Sequence, residues 1–218
     1  MDYSVIYRPI VRFYRDYISG WRGNARDNAE NSESVSQDTE MICIDPGHGG
    51  DDTGTTYQDY KEKNIVLEIC KVLESLLIHD DIEYVTTRSA DSTLELLDRT
   101  GKAGMYNADI FVSIHTDFFP SSRAQGSTLI HYPGSEEGEK LAGCIKKQME
   151  YLNIESRDTR TNENFVVLNS TSCPAVIVEC GFLSNEGDRR ILTSHSGVYE
   201  IAYRIYEGIT DYLHSATD

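Results

Sequence analysis

Three short apolar runs in this chain each stop on a side chain suited to metal binding or acid–base chemistry. Ile42-Cys43-Ile44-Asp45 leads into Pro46-Gly47-His48-Gly49-Gly50, Phe111-Val112-Ser113-Ile114 stops at His115, and Ala175-Val176-Ile177-Val178 stops at Glu179. Runs this short and continuously apolar suit strands buried on both faces. If they share one sheet, His48, His115 and Glu179 collect at a single edge. In open α/β sheets that edge is where ligands bind. Two imidazoles and a carboxylate are what a catalytic zinc needs, with one position left for water.

The segments between these runs have helical spacing. Glu62–Ile78 repeats apolar residues at i, i+3 and i+4 through Ile65, Val66, Ile69, Cys70, Leu73, Leu76 and Leu77. A second helix is expected over Ser92–Tyr106, capped by Asp91 or Ser92. A third is expected over Glu136–Tyr151 and a last one over Val198–Leu213. Further strands are expected at Ile82–Thr87 and Ser127–Tyr132. This alternation predicts an α/β fold with a mostly parallel sheet covered on both faces, and a zinc site at the C-terminal edge of its strands.

Composition narrows the partners. A net charge of −16 over 218 residues argues against nucleic acid and anionic membranes as partners of the main body. No apolar run reaches the ~18 residues of a membrane span, and the N-terminus shows no signal peptide. The five cysteines are odd in number and form no C-x-x-C pair, so free buried thiols are expected rather than a disulfide framework. Residues 1–40 read as an extension to a domain over 41–218. Within it, 3–21 places Ile6, Ile10, Phe13, Tyr14, Tyr17 and Trp21 on one helical face and Arg8, Arg12 and Arg15, with Arg22 just beyond, on another. Residues 23–40 read as a flexible linker. Such a helix would suit a protein partner or a membrane surface, and equally suits packing on its own domain.

The residues around the three strand ends divide by role. Pro46 and three glycines force a tight turn that fixes His48. Asp45, three residues earlier, is placed to accept a hydrogen bond from the ring or the loop amides and so support the site. The loop lacks the endings of a P-loop or a dinucleotide fingerprint. Glu62 opens a helix beside a strand end, a sensible place for a third ligand, although a first-turn Glu alone is ordinarily a surface residue. Asp117, two residues past His115, would point the same way in an extended segment, to orient the site or serve as a fourth ligand. Glu179 lies in so apolar a run that only a function or a partner would offset its burial. Beside an activated water it would act as general base, then general acid.

DPGHGG at 45–50, Glu62, TR at 87–88, LxxR at 96–99, SIHTD at 113–117 and VECGFLSN at 178–185 together resemble the zinc-dependent N-acetylmuramoyl-L-alanine amidases of the amidase-3 type. The resemblance covers roughly residues 41–213, with every motif in order. It implies a three-layer αβα fold and hydrolysis of the amide between muramic acid and L-alanine in peptidoglycan. It implies Zn²⁺ held by His48, Glu62 and His115, with Glu179 catalytic. Many members carry Asn where this chain has Asp117. The 64-residue interval between His115 and Glu179 leaves no room for the long blocking helix of some Gram-negative members. The expected protein is a monomer acting at the cell wall or periplasm by an unspecified export route, or one released by lysis if it is a phage lysin. Phage, spore and autolysin roles stay open. The alternatives are a zinc peptidase cutting within the stem peptide and a non-catalytic peptidoglycan-binding protein.

Overall fold

Strand β1 (Ile42–Pro46) is an interior strand of a six-stranded sheet, one in from its edge, with every residue buried. The computed structural model describes residues 40–215, so the expected helix over 3–21 and all but the last residue of the tether lie outside the described residues. A two-residue hairpin, β2 (Thr56–Tyr57) and β3 (Tyr60–Lys61), leads into α1 (Glu62–His79). There follow β4 (Tyr84–Thr86), α2 (Leu96–Met105), β5 (Ile110–Asp117), β6 (Thr128–His131), α3 (Glu136–Met149), β7 (Arg160–Thr161), α4 (Val166–Asn169), β8 (Ala175–Phe182), α5 (Glu186–Leu192) and α6 (His195–Ser215).

The sheet order is β4-β1-β5-β8-β6-β7. All neighbours are parallel except β6 and β8, which are antiparallel. Helices α1, α3 and α6 cover one face and α2 with α4 the other, giving the expected three layers. Ile42, Cys43, Ile44, Phe111, Val112, Ile114, Val176 and Val178 have no exposed surface. That is why these strands read as continuous apolar runs rather than alternating ones. All five cysteines are free thiols. Among the described residues no helix is long and apolar enough to cross a membrane.

Two boundaries differ from the sequence reading for physical reasons. Helix α2 starts at Leu96 rather than Ser92, because residues 91–94 are spent on the loop after β1. Asp91 accepts the Gly50 amide at 2.7 Å instead of capping a helix, Thr93 Oγ1 accepts the Asp51 amide at 3.1 Å, and the Leu94 carbonyl accepts from Arg99. Helix α6 begins three residues earlier than expected, and the short α5 before it has too few turns to show a periodicity. Its signal was the Asn185 cap, whose side chain accepts the Asp188 amide.

Candidate metal centre and active site

The β1 end sets the geometry. Arg99, from α2, donates to the Pro46 carbonyl at 2.8 Å and the His48 carbonyl at 2.8 Å. Arg88 donates to the Pro46, Gly47 and Lys63 carbonyls at 2.9, 2.7 and 3.0 Å. Both arginines are 3% exposed, so their charges are spent on the loop and on Asp45 rather than on solvent. Planar guanidinium forks suit such convergent carbonyls better than an ammonium would. The loop they grip holds His48 at φ 61°, a conformation uncommon for a residue with a Cβ. The sequence motifs contain these arginines but offer no role for them, since the Pro46, Gly47, His48 and Lys63 carbonyls they bind lie 25 to 53 residues away.

Asp45 departs from its expected place. It does not touch the His48 ring or the loop amides. Its Oδ1 accepts from Thr87 Oγ1 at 2.6 Å and Arg99 at 2.8 Å, and its Oδ2 from Ser113 Oγ at 2.7 Å. The reason is register: Asp45 is still inside β1, directly opposite Ser113 of β5, so its side chain stands over the sheet face rather than in the loop. Asp45 is a buried anchor that Arg99 neutralises. The carboxylate at His48 is instead Asp52, whose Oδ2 lies 2.8 Å from Nδ1. That contact was missed because Asp52 sits in a polar loop with no distinguishing pattern.

The three residues expected as ligands come together. Helix α1 starts beside β5, so Glu62 sits at the sheet edge and is almost fully buried. Its Oε1 lies 3.0 Å from His115 Nδ1 and 3.2 Å from His48 Nε2, and accepts the Thr116 amide at 2.9 Å. Its Oε2 accepts the Thr55 amide at 2.8 Å. The two imidazoles meet edge to face with centroids 4.9 Å apart. One donor atom from each residue lies within 4.8 Å of the others, and among the described residues this is the set that could hold a metal ion. Glycines make the approach feasible. A methyl carbon at Gly47 would come 2.5 Å from His115 Nε2, and one at Gly54 would come 2.6 Å from Glu62 Oε2 and from His48 Cδ2.

Charge in the cluster is arranged for a cation. Burial draws the His48 pKa down, but Glu62 and Asp52 outweigh it and raise it to about 9. Burial likewise opposes, and Glu62 and Glu179 outweigh it, for His115. Burial raises the Glu62 pKa, yet the two imidazoles hold it well below the usual carboxylate range. The same carboxylates that favour a proton on His48 would favour a metal cation in its place. An N₂O donor set backed by a carboxylate–imidazole contact fits zinc.

Glu179 stands directly across from His115 in the β5–β8 register. The residue is partly covered, but its Oε2 is closed off from solvent and has no hydrogen-bond partner. Burial pushes its carboxyl up to about 7; His115 opposes this, while the charges of Glu62 and Asp117 add to it. Asp117 lies on the rim and outside the three-residue cluster. Its Oδ1 accepts the Phe118 amide at 2.7 Å, so it faces the site as a charge rather than joining the donor set. A buried acid without a partner beside a cation site is arranged for proton transfer.

Comparison with known proteins finds relatives over most of this chain. The family model described as N-acetylmuramoyl-L-alanine amidase matches residues 42–211. A probable cell wall amidase, LytH of Staphylococcus saprophyticus, is 32% identical over 205 residues, covering 91% of this chain and 67% of the relative. The endolysin of Bacillus phage SPP1 is 32% identical over 183 residues, covering 80% of this chain and 66% of the relative. Among solved structures, the N-acetylmuramoyl-L-alanine amidase AmiC2 of Nostoc punctiforme superposes with a TM-score of 0.76 at 32% identity, covering 81% of this chain and 98% of that one.

Proposed function

The chain belongs to the N-acetylmuramoyl-L-alanine amidases, hydrolases of the cell wall, and from that premise we propose that His48, Glu62 and His115 hold a zinc ion and that Glu179 is the acid–base catalyst. One observation carries the reading. A half-buried carboxylate, its Oε2 enclosed without a hydrogen-bond partner, stands one strand from a His-Glu-His cluster at the C-terminal edge of β5 and β8. Zinc, when bound, would supply a Lewis acid that polarises the scissile carbonyl and lowers the pKa of water.

The chain's own residues do the rest. Asp52 accepts from His48 Nδ1 and so leaves Nε2 facing the cluster. The Thr116 and Thr55 amides hold both oxygens of Glu62 and fix the carboxylate between the two rings. Glu179 takes a proton from the attacking water at its carboxylate. It then returns that proton to the nitrogen of the departing L-alanine, so that a neutral amine leaves. No serine or cysteine nucleophile enters. Ser113 is committed to Asp45, and burial raises the Cys180 thiol well above its ordinary pKa.

The test is digestion of purified sacculi by the zinc-loaded protein, with products identified by mass. New lactyl carboxyls paired with new L-alanine N-termini are expected. New ends only within the stem peptide would replace this reading with the peptidase, and no new ends would leave the binding protein.

A further inference from the structure

We propose that Arg157 and Arg160 form an anion subsite that holds a carboxylate of the stem peptide on the β6–β7 side of the reacting centre. The proposal rests on the amidase reading and deepens it.

Register puts the two arginines there. His115, Glu179 and Thr128 form one cross-strand row. Ser113, Ile177, Ile130 and Arg160 form the next. Rows two residues apart share a sheet face, so Arg160 lies on the face that carries His115 and Glu179. It is one row in and two strands across from Glu179, about 10 Å across the sheet and about 7 Å along it. An extended peptide advances about 3.4 Å per residue. A stem peptide leaving Glu179 toward β7 therefore brings its second or third residue within reach of a long arginine side chain.

Arg157 stands beside that path. Its amide donates to the Ser127 carbonyl at 2.9 Å, next to Thr128 of the catalytic row. Its guanidinium lies over the Phe182 ring at 5.3 Å from the centroid, and Phe182 pairs with Asp117 across β5 and β8. Its stem passes so close to Gly126 that a methyl there would meet Cγ at 2.8 Å. This head group is held in place rather than free to wave.

Neither guanidinium has an ion-pair or side-chain hydrogen-bond partner among the described residues. This holds in a chain with 36 acidic and 20 basic side chains. Two cations without acidic partners, Arg157 held against Phe182 and Arg160 exposed on β7, flank the reacting centre and are arranged to receive an anion from outside. The substrate side that departs as an amine is a peptide with carboxylates beyond its first residue, whereas the sugar side offers hydroxyls and amides. The chemistry therefore assigns this subsite to the acidic peptide.

The test compares two soluble muropeptides that differ only at the second stem residue, one with a free carboxylate and one with that carboxylate amidated. The zinc-loaded full chain should show a lower KM for the acidic form at similar kcat. Arg157→Ala and Arg160→Ala should each raise that KM about fivefold, as expected of partly exposed charge pairs, while changing the KM for the amidated form less than twofold. Arg160→Lys should recover much of the loss, and the preference should shrink in high salt. Equal KM values for the two substrates in the wild type, or equal losses on both in the variants, would overturn the subsite and leave the amidase reading standing. Turnover of neither substrate by the wild type would instead sink the amidase reading. Calorimetry with the acidic peptide alone then decides the subsite: tighter binding to wild type than to Arg160→Ala supports it, and equal binding overturns it.

Discussion

Replacing Gly47 by alanine tests whether the arginine-gripped loop sets the position of His115. The added carbon would sit 2.5 Å from His115 Nε2 and 2.6 Å from Nδ1. An ordinary contact is about 3.5 Å, so loop and ring must part by about 1 Å. The loop side is stiff. The Pro46, Gly47 and His48 carbonyls are all held by Arg88 or Arg99, and the Gly47 amide donates to the Ile114 carbonyl at 3.0 Å. The ring must therefore yield, and it leaves its place beside Glu62. Overpacking of this kind costs about 1–3 kcal/mol of stability. A displacement of about 1 Å at a reacting centre costs about 100-fold in rate. The assay is zinc affinity by competition with a chelator, alongside turnover of a soluble muropeptide and thermal unfolding. Gly47→Ala should bind zinc more weakly and lose about two decades of turnover while remaining folded. Gly101→Ala is the control: no atom lies within 4 Å of its added carbon, so it should leave both unchanged. A Gly47→Ala protein with wild-type zinc affinity and turnover within threefold would refute the idea that this loop positions the ring.

Four further outcomes follow from the same geometry. Glu179→Gln should keep zinc and fold but lose at least about 100-fold in turnover; substantial activity in the metal-loaded variant would mean another group moves the proton. Arg99→Ala strands the buried Asp45 carboxylate and should destabilise the protein by about 3–5 kcal/mol in chemical unfolding, so a loss under 1 kcal/mol would show that Thr87 and Ser113 suffice. The raised Glu179 pKa means that the folded, metal-free protein keeps a proton the unfolded chain has released. Its stabilising share is complete below about pH 4.5 and is lost as pH rises through about 7. Metal-free wild type should therefore lose more stability between pH 5 and 8 than Glu179→Gln does, and identical losses would contradict the assignment. Finally, a 41–218 fragment should bind zinc and cleave small muropeptides nearly as the full chain does; unfolding of the fragment would show that residues 1–40 belong to the core.

What was legible in the sequence was what the strands dictate locally. His48, His115 and Glu179 each end a continuous apolar run. In a parallel sheet those ends fall at one edge, so their meeting follows from period and direction alone. Glu62 was legible because it opens a strongly periodic helix. Asp45 was misplaced because its three partners, Thr87, Arg99 and Ser113, lie 42, 54 and 68 residues away, and only the register of β1 against β5 selects them over the nearer ring. Asp52 was missed for the opposite reason: it is close in sequence, but its contact with His48 depends on a turn with positive φ that no periodicity reveals. The false start of α2 at Ser92 came from reading Asp91 as a cap. Its carboxylate serves the Gly50 amide and the Lys63 ammonium instead, at 2.7 Å each.

The central claim is a zinc-dependent amidase built on His48, Glu62, His115 and Glu179. Stepwise return of Zn²⁺ to the exhaustively chelated protein tests it most directly, with metal content and release of L-alanine N-termini followed together. The account predicts no release without metal, full release at one equivalent, and no recovery in His48→Ala or His115→Ala at the same zinc level. Full activity with metal content near zero, or full recovery in either variant, would contradict it.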